Sequence, residues 1–208
     1  MSGGGLDTVG SPAFTDEDAA RFRAAGWWSD FTLSDAVRRN GERSPDRAAY
    51  IDDPDAALTW REFDSSATLL AGQLAGCGIA RGDRVAVWHG DSTAIHVLFV
   101  AIERCGAVVV GLGARAGTRE IAAILRNAEP KILISEPNLR DAAAQAVSMA
   151  DLPLPVLIVD RDTALLDVVV EPKPVGSTAQ LGADDVFLIN STSGTTGLPK
   201  CVVHTQNR

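Results

Sequence analysis

Between Ser191 and Lys200 the chain reads STSGTTGLPK, which brings Ser191, Thr192, Ser193, Thr195 and Thr196 together with two glycines, a proline and a lysine. Such a set suits an oxygen-rich anion. Gly194 and Gly197 can take positive φ and let backbone N–H groups approach a ligand with no Cβ in the way. The hydroxyls add donors, and Lys200 adds a point charge on a flexible stem. A polyphosphate is the ligand these residues fit. The common P-loop pattern G-x-x-x-x-G-K-[ST] cannot be laid over Gly194–Lys200, and Cys201 stands where that pattern needs a hydroxyl. On composition alone, a flexible Gly/Thr linker beside a surface lysine accounts for the same letters.

What would position such a loop is an apolar strand in front of it. VFLIN (186–190) is one, and RVAVW (84–88), AVVVG (107–111), KILIS (131–135) and VLIV (156–159) are others. Between them lie helical patterns. Thr59 and Glu62 form a T-x-x-E capping box before Phe63, Ala67, Leu70 and Leu74, and Gly76 and Gly78 end that run. Asp91 opens a helix through Glu103, Thr118 caps REIAAILRNA, and an Ala-rich helix spans about 139–149. Upstream, Thr15 caps a short acidic helix ending near Gly26, Trp27 and Trp28 anchor the arm, and a helix around Leu33–Glu42 closes at SPDR. Strands apolar on both faces, alternating with helices, predict an α/β fold with a mainly parallel sheet flanked by helices. In such sheets ligands bind beyond the carboxyl ends of the strands, where this loop sits. Residues 1–14 read as a disordered leader, and EPKPVGSTAQLGADD (171–185) as a linker or surface loop.

With 46% hydrophobic residues in 208, the chain can bury a real core. A net charge of −8 argues against nonspecific nucleic-acid binding, which relies on lysine and arginine neutralising phosphates. Cys77, Cys105 and Cys201 make no CxxC pair, and His89, His96 and His204 show no metal-ligand spacing. No secretory signal or transmembrane segment is legible, so the expected protein is soluble and cytoplasmic.

T-S-G-T-T-G-x-P-K closely resembles the phosphate-binding signature of the AMP-forming adenylating enzymes: acyl-CoA synthetases, luciferases and peptide-synthetase adenylation domains. LTWREFDSSATLLAGQLAGCGIARGDRVAV and VLFVAIERCGAVVVGLGARAGTREIAAILRNAEPKILI resemble two earlier segments of that family, in its order. The resemblance runs from about Leu33 to Arg208. It implies that Thr192, Ser193, Gly194, Thr195, Thr196, Gly197 and Lys200 hold the β- and γ-phosphates of ATP, with Lys200 the catalytic cation. It also implies a substrate carboxylate attacking the α-phosphorus, usually with Mg²⁺, and coenzyme A then displacing AMP.

Two positions depart from the family. Cys201 replaces a usual glycine, and HTQN (204–207) puts Gln206 where many acyl-CoA synthetases carry a second histidine near the carboxylate end of the acyl pocket. Gln206, with His204 beside it, is accordingly an acyl-pocket candidate, and His204 is equally a packing residue. No histidine–carboxylate pair is placed beside Cys201, so no thiol nucleophile is read there. His89, His96, Arg115 and Arg119 read as structural or surface residues. The family's later adenine, ribose and adenylation-lysine motifs do not occur. Residues 15–208 therefore read as an incomplete N-terminal AMP-binding domain, inactive alone, that ends where the family begins a helix. A sheet stopping just after an interior strand would favour association between copies and with the missing C-terminal part. The alternatives are a noncatalytic nucleotide- or partner-binding relative and a plain scaffold whose loop binds nothing.

Overall fold

The structure is a computed structural model that describes residues 15–53, 56–176, 180–192 and 200–207. Its elements are α1 (Asp16–Ala24), α2 (Leu33–Arg43), β1 (Ala48–Asp53), β2 (Ala56–Thr59), α3 (Trp60–Gly76), β3 (Arg84–Trp88), α4 (Thr93–Arg104), β4 (Val108–Gly111), α5 (Thr118–Ala128), β5 (Ile132–Ser135), α6 (Arg140–Ala150), β6 (Val156–Ile158), β7 (Val186–Thr192) and β8 (Lys200–Thr205). Six strands form one sheet in the order β6-β5-β3-β4-β7-β8. All neighbours are parallel except β8, which returns antiparallel along β7.

The period-2 alternation of β3 shows why the sheet needs cover on both sides. Val85 and Val87 pack with Phe63, Leu70 and Leu74 of α3 and with Val97, Leu98 and Ile102 of α4. Ala86 and Trp88 face the other way, against Ile121, Ile124 and Leu125 of α5 and the alanines of α6. Both clusters are closed to solvent. Burying each such large aliphatic side chain is worth about 1.5–3 kcal/mol, so these two faces supply most of the drive to fold.

Local signals match this frame. The Thr59–Glu62 capping box is present, with Thr59 N donating to Glu62 Oε2 at 2.9 Å and Glu62 N to Thr59 Oγ1 at 3.3 Å. The Thr59 hydroxyl, donating to Glu62 Oε2 at 2.7 Å, and then the Thr59 N–H hold the Glu62 carboxyl below its usual range. Thr15 and Thr32 cap α1 and α2 in the same way. Gly78 leaves α3 at φ +87, a turn that glycine makes without strain. Two boundaries move. Gly117 is the N-cap of α5 and Thr118 its first residue, while α4 begins at Thr93 after Ser92 rather than at Asp91. Trp28 is half-buried and lies 5.1 Å from the Phe22 ring, but Trp27 remains exposed.

Three larger features were not anticipated. β1 and β2 form a separate antiparallel hairpin. β8 follows the loop with no element read there from sequence, and β7 lies between β4 and β8. The segment after residue 170 is no loose linker. Lys173 N donates to Gly72 O at 3.0 Å, and Arg81 reaches Gln180 O and Asp185 Oδ2, both at 2.6 Å. The segment crosses α3 so closely that a Cβ on Gly76 would stand 2.5 Å from Glu171 O, and one on Gly72 3.1 Å from Pro172 Cβ.

Gly76→Val should therefore destabilise the chain. Leaving glycine gains only a few tenths to about 1 kcal/mol of helix propensity, whereas forcing atoms against backbone costs about 1–3 kcal/mol before the lost crossing is counted. Urea melts should show a lower midpoint; an unchanged or raised midpoint would mean that the crossing segment is not held.

Candidate functional site

Connections leave β3 and β4 toward opposite faces of the sheet. After β3 the chain enters α4 on one face, and after β4 it enters α5 on the other before crossing to β5 on the far side of β3. Adjacent strands whose connections part in this way leave a crevice at their carboxyl ends, the usual ligand position in an open parallel sheet. Two cavities open there. One of about 430 Å³ is lined by Asp91, Gly113, Arg115, Glu120 and Ser191 among others. A second, of about 210 Å³, includes His89, Asp91, Phe99, Gly111 and Asn190 in its lining.

β7 delivers the loop to this edge. Val109 pairs with Leu188 and Val110 with Ile189, which brings Asn190 beside Gly111, where a Cβ would stand 3.3 Å from Asn190 Oδ1. Ser191 and Thr192 continue outward and pair with Cys201 and Lys200 of β8. The loop's two ends are thus held at the spacing of an antiparallel ladder. Lys200 is exposed at its rim. Ser193, Gly194, Thr195, Thr196 and Gly197 lie outside the described residues; Thr192 and Lys200 lie within them as a backbone pair.

The other candidates disperse. His204 pairs with Leu188 on β8, four residues from Lys200 and so about 13 Å back from the carboxyl edge at ~3.3 Å per residue. Gln206 is one of the residues that join the chain's two ends, and the structure does not gather it with the loop. Its Oε1 accepts from Leu33 N at the start of α2 at 2.6 Å. Asn207 accepts from Ser29 N at 3.0 Å and donates to Ser29 O at 2.9 Å, reading one backbone residue in both directions. The physical reason is direction: β8 runs antiparallel, so residues after it return to the amino ends of the parallel strands. Cys201 is half-buried, and burial pushes its thiol up, away from the thiolate a nucleophile needs. Burial likewise raises Cys77, and takes Cys105 to about 12.

His96 stacks on Tyr50 with ring centroids 3.9 Å apart, and burial lowers its pKa against the opposing pull of Asp52 and Asp91. His89 is 1% exposed and holds its turn through Nδ1, 3.0 Å from Gly90 O, while Gly90 N donates to Glu136 Oε1 at 3.1 Å. Arg115, read from sequence as a structural or surface residue, lines the larger cavity beside Ser191. Its position just past the carboxyl end of an apolar strand, in GLGARAG, is the signal that would have found it. Among the described residues no three His, Cys, Asp or Glu side chains gather into a metal cage, and no helix is long and apolar enough to cross a membrane.

Behind the site, a buried polar node ties α2, α3 and α4 together. Arg104 donates from Nε to Ser34 Oγ at 2.9 Å and from Nη2 to Asp64 Oδ1 at 2.6 Å. Glu103, 1% exposed, accepts from Ser34 N at 3.2 Å. Burial pushes the Glu103 carboxyl up, partly offset by hydrogen bonds from Thr32 and Ser34 and by the Arg104 charge.

The comparisons with known proteins agree with this geometry. The model of the family described as AMP-binding enzyme matches residues 37–208. The long-chain-fatty-acid–CoA ligase FadD13 of Mycobacterium tuberculosis is 32% identical over 174 residues, covering 81% of this chain and 34% of that protein. The medium-chain fatty-acid–CoA ligase of Escherichia coli is 25% identical, covering 93% and 36%. The apo structure of Mycobacterium smegmatis MbtA superposes with a TM-score of 0.83 at 28% identity, over 97% of this chain and 38% of that one. The chain spans about a third of the length of the curated relatives it matches.

One consequence of the polar node is a pH dependence. A buried carboxyl with a raised pKa favours folding when protonated: its contribution is full below the ordinary glutamate range and is lost as pH rises through the raised folded value. Relative to Glu103→Gln, the native chain should therefore lose stability as pH rises above the ordinary glutamate range and through the raised folded value. Urea melts across that range check it, and a difference that does not change with pH would contradict the shift.

Proposed function

This chain belongs to the AMP-binding enzyme family, and from that premise we propose that it supplies the polyphosphate-binding wall of an ATP-dependent carboxylate–CoA ligase. The observation that carries the reading is the β7–β8 pairing, which sets Thr192 opposite Lys200 at the carboxyl edge and so closes the signature loop at a ligand-binding position. In this reading the loop amides and the hydroxyls of Thr192, Ser193, Thr195 and Thr196 receive the β- and γ-phosphates of ATP. Lys200 neutralises charge on the departing pyrophosphate, and Mg²⁺ enters with the nucleotide's phosphates. A carboxylate attacks the α-phosphorus, giving an acyl-adenylate, and the thiol of coenzyme A then displaces AMP. Positioning and charge neutralisation do most of the catalytic work in such transfers.

The chain spans about a third of the relatives named as ligases, so the activity belongs in this reading to a larger assembly of which these residues form one part. The chain by itself is then a binder of phosphate groups and not a catalyst. It should show no carboxylate-dependent ATP–pyrophosphate exchange, because proximity and charge stabilisation are lost together. Robust exchange by residues 1–208 alone would overturn that division of labour.

Lys200→Ala should weaken the affinity of the chain for magnesium pyrophosphate. A charge-assisted hydrogen bond to phosphate is worth about 1.5–3 kcal/mol, so the loss should be about tenfold or more by calorimetry. Gly194→Val should be as harmful, since a β-branched residue resists positive φ and blocks the approach of phosphate. Unchanged affinity in both variants would return the loop to the status of a linker.

A further inference from the structure

Another cavity, of about 450 Å³, lies away from the loop, between α2, α3, the end of α4 and the segment that crosses α3. Arg104 lines it and is the last residue of α4, four residues before β4 begins. That places the cavity's polar end at the amino edge of the sheet, opposite the edge that carries the loop. Its other wall is apolar, made by Leu69, which is 45% exposed, and by Pro172 and Pro174 of the crossing segment. Neither the sheet nor the phosphate reading has a use for this combination.

The polar groups left unused here are mostly donors. Arg104 has five N–H bonds and spends four of them: Nε on Ser34 Oγ, Nη1 on Asp64 O and Thr68 Oγ1, and one Nη2 hydrogen on Asp64 Oδ1. The fifth meets no acceptor among the described residues, although Arg104 is only 6% exposed. Ser34, 4% exposed, also lines the cavity. Its Oγ accepts from Arg104, and its own hydroxyl hydrogen has no acceptor among the described residues. Thr68 is spent, since its hydroxyl donates to Asp64 O at 2.8 Å. Donors left unpaired in a closed site are costly and call for an acceptor that the chain does not itself supply.

Charge gives the acceptor its sign. Asp64 answers Arg104 at 2.6 Å, and Asp35 answers Arg38, another lining residue, at 2.7 Å. Lys173 lines the cavity too, is exposed, and its ammonium meets no carboxylate among the described residues. Glu103 accepts from Ser34 N behind this wall and takes no part in the lining. The balance left over is one positive charge, in a chain whose net charge is −8.

We propose that this cavity binds a small amphipathic anion: a singly charged head group received by the Ser34 hydroxyl, the spare Arg104 N–H and Lys173, with a short apolar tail laid on Leu69 and the two prolines. A bare inorganic anion would leave the apolar wall wet, and a neutral tail would leave the two buried donors unanswered, so neither fits alone. The volume lies within the range of small-molecule sites. The inference is independent of the phosphate wall, which sits at the other edge.

The test titrates the isotope-labelled chain 1–208 and reads backbone amides together with the Arg104 Nε–H. The probes are octanoate and octyl sulfate, which share a single charge and an octyl tail, with 1-octanol as the tail alone and acetate as the head alone. Octyl sulfate has no carboxylate to activate, so its binding cannot come from a ligase's acid site. Both anions should give saturable shifts at Ser34, Asp64, Thr68 and Lys173 at about millimolar affinity, with the Ser191–Cys201 pair unmoved. Octanol and acetate should each bind about tenfold more weakly. Lys173→Glu changes an exposed residue and should weaken both anions about fivefold while leaving octanol as it was. Ser34→Ala should weaken them as well; if that variant fails to fold, Lys173→Glu still decides. Equal affinity for octanol and octanoate, anion binding untouched by Lys173→Glu, or shifts that never saturate at these residues would overturn the proposal. Pyrophosphate, which has no tail, should leave these amides unmoved; octyl sulfate shifts centred on Ser191–Cys201 would overturn the site and leave the phosphate wall standing.

Discussion

The function proposed for this molecule depends on the ladder between β7 and β8. A seven-residue excursion, 193–199, has ends that would wander without it, and the cost of bringing them together would fall on every ligand bound. The ladder meets that cost during folding. It pairs Asn190 with Val202, Ser191 with Cys201 and Thr192 with Lys200, so the loop starts and ends at one strand spacing. Packing fixes the ladder in turn: Ile189 is fully buried and Val203 nearly so, both in the cluster under α5. A one-residue slip of β8 would turn Val203 to the opposite face and move Lys200 off the rim.

The same hairpin is anchored at its other end. Past Thr205, Gln206 and Asn207 take the backbone of Leu33 and Ser29, and the N–H groups of both residues donate to Ala183 O. A side-chain amide that replaces water at a backbone group contributes only about 1 kcal/mol. Several acting on one short segment are nonetheless enough to decide which way it runs. Next to them lies the Glu103–Arg104–Ser34 node, in which the guanidinium is almost fully satisfied. A glutamine in this sequence context carries a family expectation of substrate contact; here it joins the chain's first third to its last residues.

What the sequence made legible was whatever local residues decide. Strands apolar on both faces announced a covered parallel sheet, and the Thr15 cap and the Thr59–Glu62 box announced helix starts, because each signal is complete within a few positions. The glycine- and hydroxyl-rich loop was legible as a phosphate candidate for the same reason. Features that need a partner far along the chain were not. Nothing in EPKPVG shows that it will lie across α3, since the evidence is the pair of glycines, Gly72 and Gly76, a hundred residues earlier. The β1–β2 hairpin is short and only partly buried, and the direction of β8 cannot be read from KCVVHT, which is equally compatible with other arrangements.

The central claim is that the loop closed by Thr192 and Lys200 receives a polyphosphate at the carboxyl edge of the sheet. The most direct measurement is a backbone-amide titration of the chain with magnesium pyrophosphate, read residue by residue. This account predicts saturable shifts concentrated at 193–197 and in the flanking pair Ser191–Cys201, with Gln206 and Asn207 unmoved. Shifts centred on the α2–α3 side of the molecule, or none that saturate anywhere, would contradict it.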